Sequence, residues 1–288
     1  MRVWSSIFGA GIGGLALAAA GTAMAAGTGQ PEPWQIAMQT PVTPLAAEAH
    51  SFHTLLMWLI TLITVFVAGL IGYCMFRFNE KANPTPSKTA HNTAIEIAWT
   101  VVPVLILVLI AIPSFRLLRG QLIIPPADIT IKAVGNSWFW GYEYQGDKEG
   151  KGGFKFDANL VEEKDLKPGQ VRLLSTDNDV VVPINKVVRL QTTSADVLHS
   201  WGVPSLGFTM DAVPGRLNEI WFKIDREGVF HGQCRELCGQ RHAYMPITVR
   251  AVSEAEYDKW VAEARTKFAS TDPVPTGPAR KLADAARN

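Results

Sequence analysis

The chain has 288 residues, of which 48% are hydrophobic and 18% charged, and its 27 basic side chains nearly balance its 26 acidic ones. A net charge of +1 argues against a nucleic-acid-binding protein and against an acidic disordered chain, and three cysteines are too few for a disulfide-stabilised scaffold. Because soluble domains are typically about 25% charged, the apolar surplus must be concentrated in segments that exclude charge.

The N-terminal region has the pattern of a secretory signal. Arg2 is the only charge before Glu32, an Ala/Gly/Leu-rich stretch follows it, and Ala23-Met24-Ala25 has the small-residue spacing of a cleavage site. A membrane anchor is the alternative, but the Gly-rich run is short and weakly apolar. We therefore expect a signal peptide over residues 1–25 and an extended, proline-containing arm over residues 26–49 on the exported side.

Two long charge-free runs predict a pair of membrane-spanning helices. Residues 54–76 and residues 97–115 contain no charged side chain, and about 20 apolar residues suffice to cross a bilayer. The two prolines of the second run are tolerated in membrane helices that pack against neighbours. The basic loop between the runs favours the cytoplasmic side. We predict a transmembrane hairpin over residues 50–120, with helices at about 54–76 and 95–116 and both chain ends outside the cytoplasm.

After the second apolar run, the helical spacing of apolar residues gives way to the alternation of apolar and polar residues that is typical of β-strands. Short β-branched and aromatic runs, separated by Gly, Pro, Asn and Asp clusters, predict a β-sandwich or barrel over about residues 128–252. Ser253 and Glu256 then form the two ends of a capping box ahead of a short amphipathic helix. We expect the exported domain to span residues 121–268 and a disordered tail to occupy residues 269–288.

The most informative window is the twelve-residue run from Cys234 to Met245. It holds two thiols, one imidazole and one thioether, and His199 supplies a second imidazole. Soft sulfur ligands beside imidazole favour copper, and a weak methionine ligand is typical of electron-transfer copper sites. Because a single copper of that kind needs only one cysteine, two coppers bridged by both thiolates would use the whole set. Each metal would then take one histidine, with Met245 and a backbone carbonyl as weak outer ligands.

Three other interpretations remain open for these residues. Cys234 and Cys238 could form a disulfide bond, which an exported domain permits but which leaves His242 and Met245 unexplained. A structural zinc site would use two cysteines and two histidines and has no role for Met245. His242 could instead be an exposed loop residue, with Met245 in the core. We interpret Cys74, in the first apolar run, as a packed thiol outside any metal site.

Several motifs together resemble those of cytochrome c oxidase subunit II. They are the Cys-x-Glu-x-Cys-Gly-x-x-His-x-x-Met run from Cys234, His199-Ser200-Trp201, the aromatic run from Trp138 to Tyr144 and the segment from Asp211 to Arg216. The resemblance covers about residues 49–267, and the bacterial branch with a cleaved signal is the most similar. It implies an α+β membrane protein in which a two-helix transmembrane hairpin precedes a cupredoxin-like Greek-key β-sandwich.

The resemblance also implies a metal-binding role for six residues. Five side chains would bind a binuclear copper A centre: His199, Cys234, Cys238, His242 and Met245. Glu236 would contribute its backbone carbonyl to copper, and its carboxylate would reach a magnesium ion shared with subunit I. Without the resemblance, the simplest interpretation of Glu236 is a solvated loop charge.

The resemblance singles out Trp138 as the point at which electrons arrive from cytochrome c. In a strand, Trp138 would share one face with three other aromatic residues, so an aromatic core is the alternative for most of them. Phe139 stands where the family often has tyrosine. Charge complementarity mainly sets the encounter rate and register of a donor complex. The acidic residues that match the family's docking positions are Glu143, Asp157, Asp177 and Asp196.

Glu96 lies at the cytoplasmic end of the second predicted helix. The segment Thr93 to Glu96 has the pattern of a capping box, which gives the carboxylate a structural role at the positive end of the helix dipole. The resemblance implies in addition that Glu96 marks the mouth of a proton pathway into subunit I. An ionisable group at the edge of a membrane span suits that role.

The implied function is that of an oxidase subunit in the bacterial plasma membrane that cannot reduce oxygen alone. None of the six histidines lies within the charge-free runs, so the haems and the oxygen-reducing copper must belong to subunit I. The chain also lacks the Cys-x-x-Cys-His motif of a c-type haem. With subunit I and subunit III, it would pass electrons from cytochrome c toward oxygen while protons are pumped.

Three other classes of protein fit this sequence less well. A quinol oxidase subunit lacks the copper ligands. Nitrous oxide reductase is expected as a larger soluble enzyme with a second, histidine-rich copper domain. A membrane-tethered copper chaperone would leave Trp138 and Glu96 without a purpose.

Overall fold

The computed structural model describes residues 29–146 and 152–268. The predicted signal peptide over residues 1–25 and the predicted tail over residues 269–288 lie outside these ranges and stay predictions. Within them the chain forms two long helices, then ten strands, then a final helix.

The two long helices form the expected hairpin. α1 spans Pro44–Arg77 and α2 spans Thr93–Leu122. Both are long and apolar enough to cross a membrane, and the most apolar window of each has no residue buried inside the protein. Arg116 near the end of α2 lies 3.8 Å from Glu48 near the start of α1, so the helices run antiparallel.

α1 begins well before the apolar run that predicted it. Thr43 has extended backbone angles, and its hydroxyl accepts a hydrogen bond from the amide of Ala46 at 3.0 Å, which is N-cap geometry. Pro44 follows at the first helical position, where a missing amide costs nothing. The expectation of an extended arm is therefore wrong for residues 44–49. Apolarity locates the part of a helix that suits a bilayer, whereas capping residues locate its first turn.

The first turn of α2 is capped one residue earlier than the sequence pattern indicated. Asn92 has extended backbone angles, and its side-chain oxygen accepts a hydrogen bond from the amide of Ile95 at 3.3 Å. Oε1 of Glu96 in turn accepts from the amide of Asn92 at 3.2 Å. The capping box assigned to Thr93–Glu96 thus has Asn92 as its N-cap, because an asparagine oxygen satisfies the free amides of a first turn. The structural role of Glu96 is retained.

Ten strands build the exported domain. They are β1 Ile129–Asn136, β2 Phe139–Tyr144, β3 Phe154–Ala158, β4 Val180–Pro183, β5 Val188–Ser194, β6 His199–Val203, β7 Phe208–Ala212, β8 Asn218–Phe222, β9 Gly228–Gln233 and β10 Pro246–Val252. One sheet has the order β3-β2-β1-β5-β8, a second has the order β4-β10-β9, and β6 pairs with β7. The pairs β1–β5 and β4–β10 are parallel and the others antiparallel. The expected β-sandwich is confirmed.

The aromatic residues of β2 show how the sheets are held together. Trp140, Tyr142 and Tyr144 are buried, whereas the residues between them are partly exposed. The hydroxyl of Tyr144 donates a hydrogen bond to the carbonyl of Val181 in β4 at 2.8 Å, which links the five-stranded sheet to the three-stranded one. These three residues therefore form an aromatic core, while Trp138 precedes β2 and is only partly buried.

The final helix, α3, spans Glu254–Lys267 and covers one side of the core. The side chain of Ser253 accepts a hydrogen bond from the amide of Glu256 at 3.3 Å, which confirms Ser253 as the N-cap. The carboxylate of Glu256 accepts instead from Arg250 at 3.0 Å, so only the serine half of the predicted capping box is formed among the described contacts. Tyr257 and Trp260 are partly buried against the aromatic core, as an amphipathic helix requires.

Direct hydrogen bonds join the exported domain to the hairpin. The hydroxyl of Thr43 donates to the carbonyl of Leu206 at 2.9 Å, and the ring nitrogen of Trp221 in β8 donates to the carbonyl of Gly120 in α2 at 2.9 Å. Thr43 is buried in this junction. Both helices therefore have a fixed contact with the domain above them.

β6 and β9 cross at two glycines. A Cβ on Gly232 would lie 2.1 Å from the carbonyl oxygen of Gly202 and 2.8 Å from a methyl carbon of Val203. The first of these atoms belongs to the backbone, so it cannot move aside as the end of a side chain could. The crossing brings the start of β6, at His199, next to Cys234, which directly follows β9.

We expect Gly232→Ala to destabilise the exported domain by about 3 kcal/mol or more, since overpacking against rigid atoms costs about 1–3 kcal/mol even where neighbours adjust. Thermal unfolding of the full chain in detergent micelles measures the effect. Gly141→Ala is the matched control, because a Cβ there would meet an oxygen of the Asp157 side chain at 3.3 Å. Equal loss of stability in both variants would contradict the close crossing.

Candidate metal centre

The residues of the predicted metal site lie on one loop and one strand end. The loop from Cys234 to Met245 joins the antiparallel strands β9 and β10. Its base is closed, because the amide of Cys234 donates a hydrogen bond to the carbonyl of Met245 at 3.0 Å. The amide of Arg235 donates to the carbonyl of Ser200 at 2.9 Å, which ties the loop to β6 beside His199.

The two thiols lie between the two imidazoles. Sγ of Cys234 is 3.9 Å from Sγ of Cys238. Nδ1 of His199 is 3.8 Å from Sγ of Cys234, and Nδ1 of His242 is 3.6 Å from Sγ of Cys238. Each imidazole therefore faces a different thiol. Both thiols and His199 are buried, whereas His242 is partly exposed.

This spacing fits metal binding. Both cysteines are free, and 3.9 Å between the sulfur atoms is far longer than the roughly 2.05 Å of a disulfide bond. It is shorter than twice a metal–thiolate distance of about 2.3 Å, so one metal ion can contact both sulfurs. Among the described residues, the ligand atoms of His199, Cys234 and Cys238 lie within 4.8 Å of one another. A group of soft sulfur and imidazole donors can thus form around metal without large movement.

Two further ligands of the prediction are also placed beside the thiols. The carbonyl oxygen of Glu236 is 3.3 Å from Sγ of Cys234, while the Glu236 side chain points into solvent. Met245 is completely buried, and its carbonyl is hydrogen-bonded to the Cys234 amide. Met245 thus belongs to the core, and its backbone adjoins the site; its thioether as a metal ligand stays a prediction.

Burial and hydrogen bonding give the two thiols different pKa values. Burial raises the pKa of the Cys234 thiol, but hydrogen bonds with His199 and with the backbone of Ser200 and Glu236 outweigh it and lower that pKa to about 7. Burial together with the charge of Cys234 raises the pKa of Cys238 to about 12. Desolvation lowers the pKa of His199, yet its contacts with Cys234 and Asp196 leave it above the ordinary value. One thiol is therefore ready to bind metal as a thiolate near neutral pH.

Trp138 is in direct contact with the thiol loop. Its ring nitrogen donates a hydrogen bond to the carbonyl of Cys238 at 3.0 Å. Gly239 permits this approach, because a Cβ there would lie 3.1 Å from the indole and the residue has a φ of +117°, which favours glycine. Since Trp138 is only partly buried, it connects the surface of the domain to a cysteine of the site.

The predicted docking acids occupy different environments. Glu143 forms an ion pair with Lys132 across β1 and β2 at 3.1 Å. Asp157 and Asp177 are exposed on the side of the domain where β3 ends. Burial and the nearby charge of Asp177 raise the pKa of Asp157, and the charge of Lys155 partly opposes them, so the two carboxylates are close enough to interact beside a basic neighbour.

Asp196 is bound to a residue of the metal site. Its Oδ1 lies 2.8 Å from Nε2 of His199, and its Oδ2 accepts a hydrogen bond from the amide of Ser137 at 2.7 Å. Partial burial opposes ionisation, but these bonds and the amide of Val197 hold the pKa of Asp196 below its ordinary value. The sequence placed Asp196 among the docking residues. The three-residue spacing to His199 was the available signal for this contact.

Two more residues that the sequence did not single out support His199. A Cβ on Gly135 of β1 would lie 2.6 Å from Cδ2 of His199, so the imidazole packs directly on the backbone of that strand. The ring of Trp140 meets the imidazole edge-on, with centroids 6.0 Å apart. Both contacts depend on strand pairing, which no local sequence pattern indicates.

Glu96 lies apart from this site. It stands in the first turn of α2, whereas the exported domain follows the other end of that helix. Its side chain is partly exposed.

Comparison with known proteins gives consistent relationships over most of the chain. Residues 129–252 match the family model described as cytochrome C oxidase subunit II, periplasmic domain, and residues 31–117 match that of the transmembrane domain. A probable cytochrome c oxidase subunit 2 from Rickettsia felis is 49% identical over 233 residues, which is 81% of this chain and 73% of that protein. Cytochrome c oxidase subunit 2 from Cereibacter sphaeroides is 45% identical over 250 residues, covering 82% of each.

One solved structure is also similar. It is the periplasmic domain of subunit II of cytochrome oxidase from Bradyrhizobium japonicum, with 49% identity and a TM-score of 0.46. The match covers 51% of this chain and 99% of that one.

We expect Cys234→Ser and Cys238→Ser each to weaken metal binding by at least about tenfold, because a hydroxyl replaces a thiolate ligand. Metal content after dialysis of the detergent-solubilised chain measures the loss. Cys74→Ser is the matched control, since that thiol is exposed on α1. Full metal retention by the Cys234 variant or the Cys238 variant would contradict the assignment of these two residues as metal ligands.

Proposed function

The chain belongs to the cytochrome c oxidase subunit II family, and on that premise we propose that it accepts electrons from reduced cytochrome c at a binuclear copper A centre. The electrons then pass to haem in subunit I, where oxygen is reduced to water. The observation that carries the proposal is the pair of thiols with one imidazole facing each. The chain is an oxidoreductase subunit, and it does not reduce oxygen by itself.

The arrangement of the imidazoles favours two metal ions over one. A single structural zinc ion needs four ligands converging on one point. Here His242 faces Cys238, and His199 faces Cys234 on the other side of the thiol pair. Two copper ions would use this division, with one histidine for each ion and both thiolates contributing to the pair. Met245 and the carbonyl of Glu236 would supply the remaining ligands.

The protein scaffold suits repeated one-electron transfer. Copper bound here would supply the change of oxidation state. The chain holds Cys234, Cys238 and His199 in a buried site between packed strands, so these ligands need little rearrangement when an electron arrives. Burial also limits water around the site and thereby influences its reduction potential.

Trp138 gives the donor a route to the site. The indole is partly exposed, and its ring nitrogen is bonded to the carbonyl of Cys238 at 3.0 Å. A cytochrome c that docks over Trp138 can therefore deliver an electron through one hydrogen bond to a copper ligand. We assign the docking charge chiefly to Asp157 and Asp177, because both are exposed and are not in an ion pair among the described contacts, whereas Glu143 pairs with Lys132 and Asp196 with His199. The hydrogen bonds that Asp177 accepts come from the neutral amides of Asn159 and leave its charge uncompensated.

The remaining roles concern the interface with other subunits. The exposed carboxylate of Glu236 is available for a magnesium ion shared with subunit I. Glu96 would open a proton pathway into subunit I from the cytoplasmic side, in support of proton pumping. Subunit III completes the proposed complex. The hairpin anchors the chain in the membrane, with the copper domain on the periplasmic side.

The decisive experiment is copper loading of the full chain in detergent. We expect two coppers per chain and an electron paramagnetic resonance signal in which one unpaired electron is shared by both. One copper per chain, or bound zinc that copper does not displace, would overturn the proposal. Copper uptake without oxidation of cytochrome c by the assembled oxidase would favour a copper-carrying protein instead.

We expect Trp138→Phe to slow electron transfer from cytochrome c by roughly tenfold or more, which is about 1.4 kcal/mol of barrier, because phenylalanine cannot donate to the Cys238 carbonyl. Stopped-flow kinetics of the assembled oxidase measures the rate. The copper spectrum should be unchanged. Trp34→Phe serves as the control, since that indole is almost fully exposed on the arm. A lost copper spectrum in the Trp138 variant would show that the residue maintains the fold of the site.

We expect Glu96→Gln to slow proton uptake by the assembled oxidase reconstituted in vesicles, since glutamine cannot carry a proton. The oxygen of glutamine can still accept from the amide of Asn92, so the cap of α2 should survive. The KM for cytochrome c is the internal control and should not change. Normal proton uptake and turnover would contradict a role in the proton pathway.

A further inference from the structure

We propose that Asp196 is a positioning residue for the copper ligand His199, and that this contact sets the spectrum and the reduction potential of the copper centre. The inference rests on the proposed function. It gives Asp196 a role different from that of the other acidic residues, which act on the encounter with the donor.

The contact fixes which nitrogen of His199 can bind metal. Oδ1 of Asp196 lies 2.8 Å from Nε2 of His199, and a carboxylate can only accept a hydrogen bond. Nε2 must therefore carry the proton in the neutral imidazole. The lone pair is then on Nδ1, which faces Sγ of Cys234 at 3.8 Å. Carboxylates that hold metal-binding histidines in this way commonly determine their tautomer and orientation.

The carboxylate is itself held in place. Oδ2 accepts from the amide of Ser137 at 2.7 Å, and Oδ1 accepts from the amide of Val197 at 2.6 Å. Ser137 lies in the connection between β1 and β2, so two separate segments orient the group. A side chain with this many fixed contacts is poorly suited to rearrange for a docking partner.

The imidazole is packed against residues of two strands. The backbone of Gly135 lies against one part of the ring, and the edge of Trp140 lies against another. His199 is completely buried, whereas the side chain of Asp196 is 36% exposed. The carboxylate is therefore the outermost member of a chain that runs from solvent through His199 to the thiol of Cys234.

A negative charge bonded to a metal ligand has a predictable electronic effect. The carboxylate increases the basicity of the imidazole, which stabilises the more highly charged, oxidised form of the centre. Removing the charge should raise the reduction potential. It should also weaken copper binding by about 10- to 100-fold, the usual range for losing such a partner.

The test compares Asp196→Asn and Asp196→Ala with Asp177→Asn in the full chain and in the assembled oxidase. Asparagine keeps an acceptor for Nε2 but removes the charge, whereas alanine removes both. We expect a higher reduction potential in both Asp196 variants and a perturbed copper signal that is larger for alanine. Asp177→Asn should raise the KM for cytochrome c and leave the potential and the signal unchanged.

A potential and a copper signal equal to those of the parent chain in both Asp196 variants, with only a raised KM, would overturn the inference and leave Asp196 as a docking residue. For variants that fail to retain copper, nitrogen-15 magnetic resonance of the metal-free chain reports the tautomer of His199. We expect the Nε2-protonated form in the parent and a mixture in Asp196→Ala. The same tautomer of His199 in the parent chain and in Asp196→Ala would likewise overturn the inference. A parent chain that does not hold two coppers contradicts the proposed function, and the tautomer measurement still decides the role of Asp196.

Discussion

The close crossing of β6 and β9 is the constraint on which the metal centre depends. At Gly232 the backbone of β6 lies so close that there is no room for a Cβ, and the atom that it would meet is the carbonyl oxygen of Gly202. His199 and Cys234 are far apart in the sequence, and this crossing makes them neighbours. The closed base of the Cys234–Met245 loop then brings the remaining ligands to the same place. A site assembled in this way is as rigid as the sandwich core beneath it.

The connection between β1 and β2 links the surface of the domain to the centre at two points. Ser137 is bonded to Asp196, and Trp138, its neighbour, is bonded to the carbonyl of Cys238. One short segment thus contacts Cys238 directly and His199 through Asp196. A displacement of this segment would therefore affect both the indole of Trp138 and the carboxylate that contacts His199.

The sequence predicted the parts of the structure that depend on local pattern. The charge-free runs were sufficient to predict the two helices of the hairpin. The alternation of apolar and polar residues was sufficient to predict the β-sandwich. The spacing of thiols and imidazole located the metal site, because most of its ligands are close together in the chain. The start of α1 at Pro44 was not predicted, since a cap and not hydropathy determines it. The partners of Glu143 and Asp196 were not predicted either, because strand pairing and loop packing bring those groups together.

The junction between the hairpin and the exported domain restricts how these two parts of the chain can move relative to each other. Thr43 and Trp221 attach the domain to both helices through hydrogen bonds, and Thr43 is buried. The exported domain is therefore attached to both helices, and its position relative to the hairpin is a property of the fold. On the proposed function, the fold would also set the distance from the copper ligands to an acceptor in subunit I, so that the donor alone would need to diffuse.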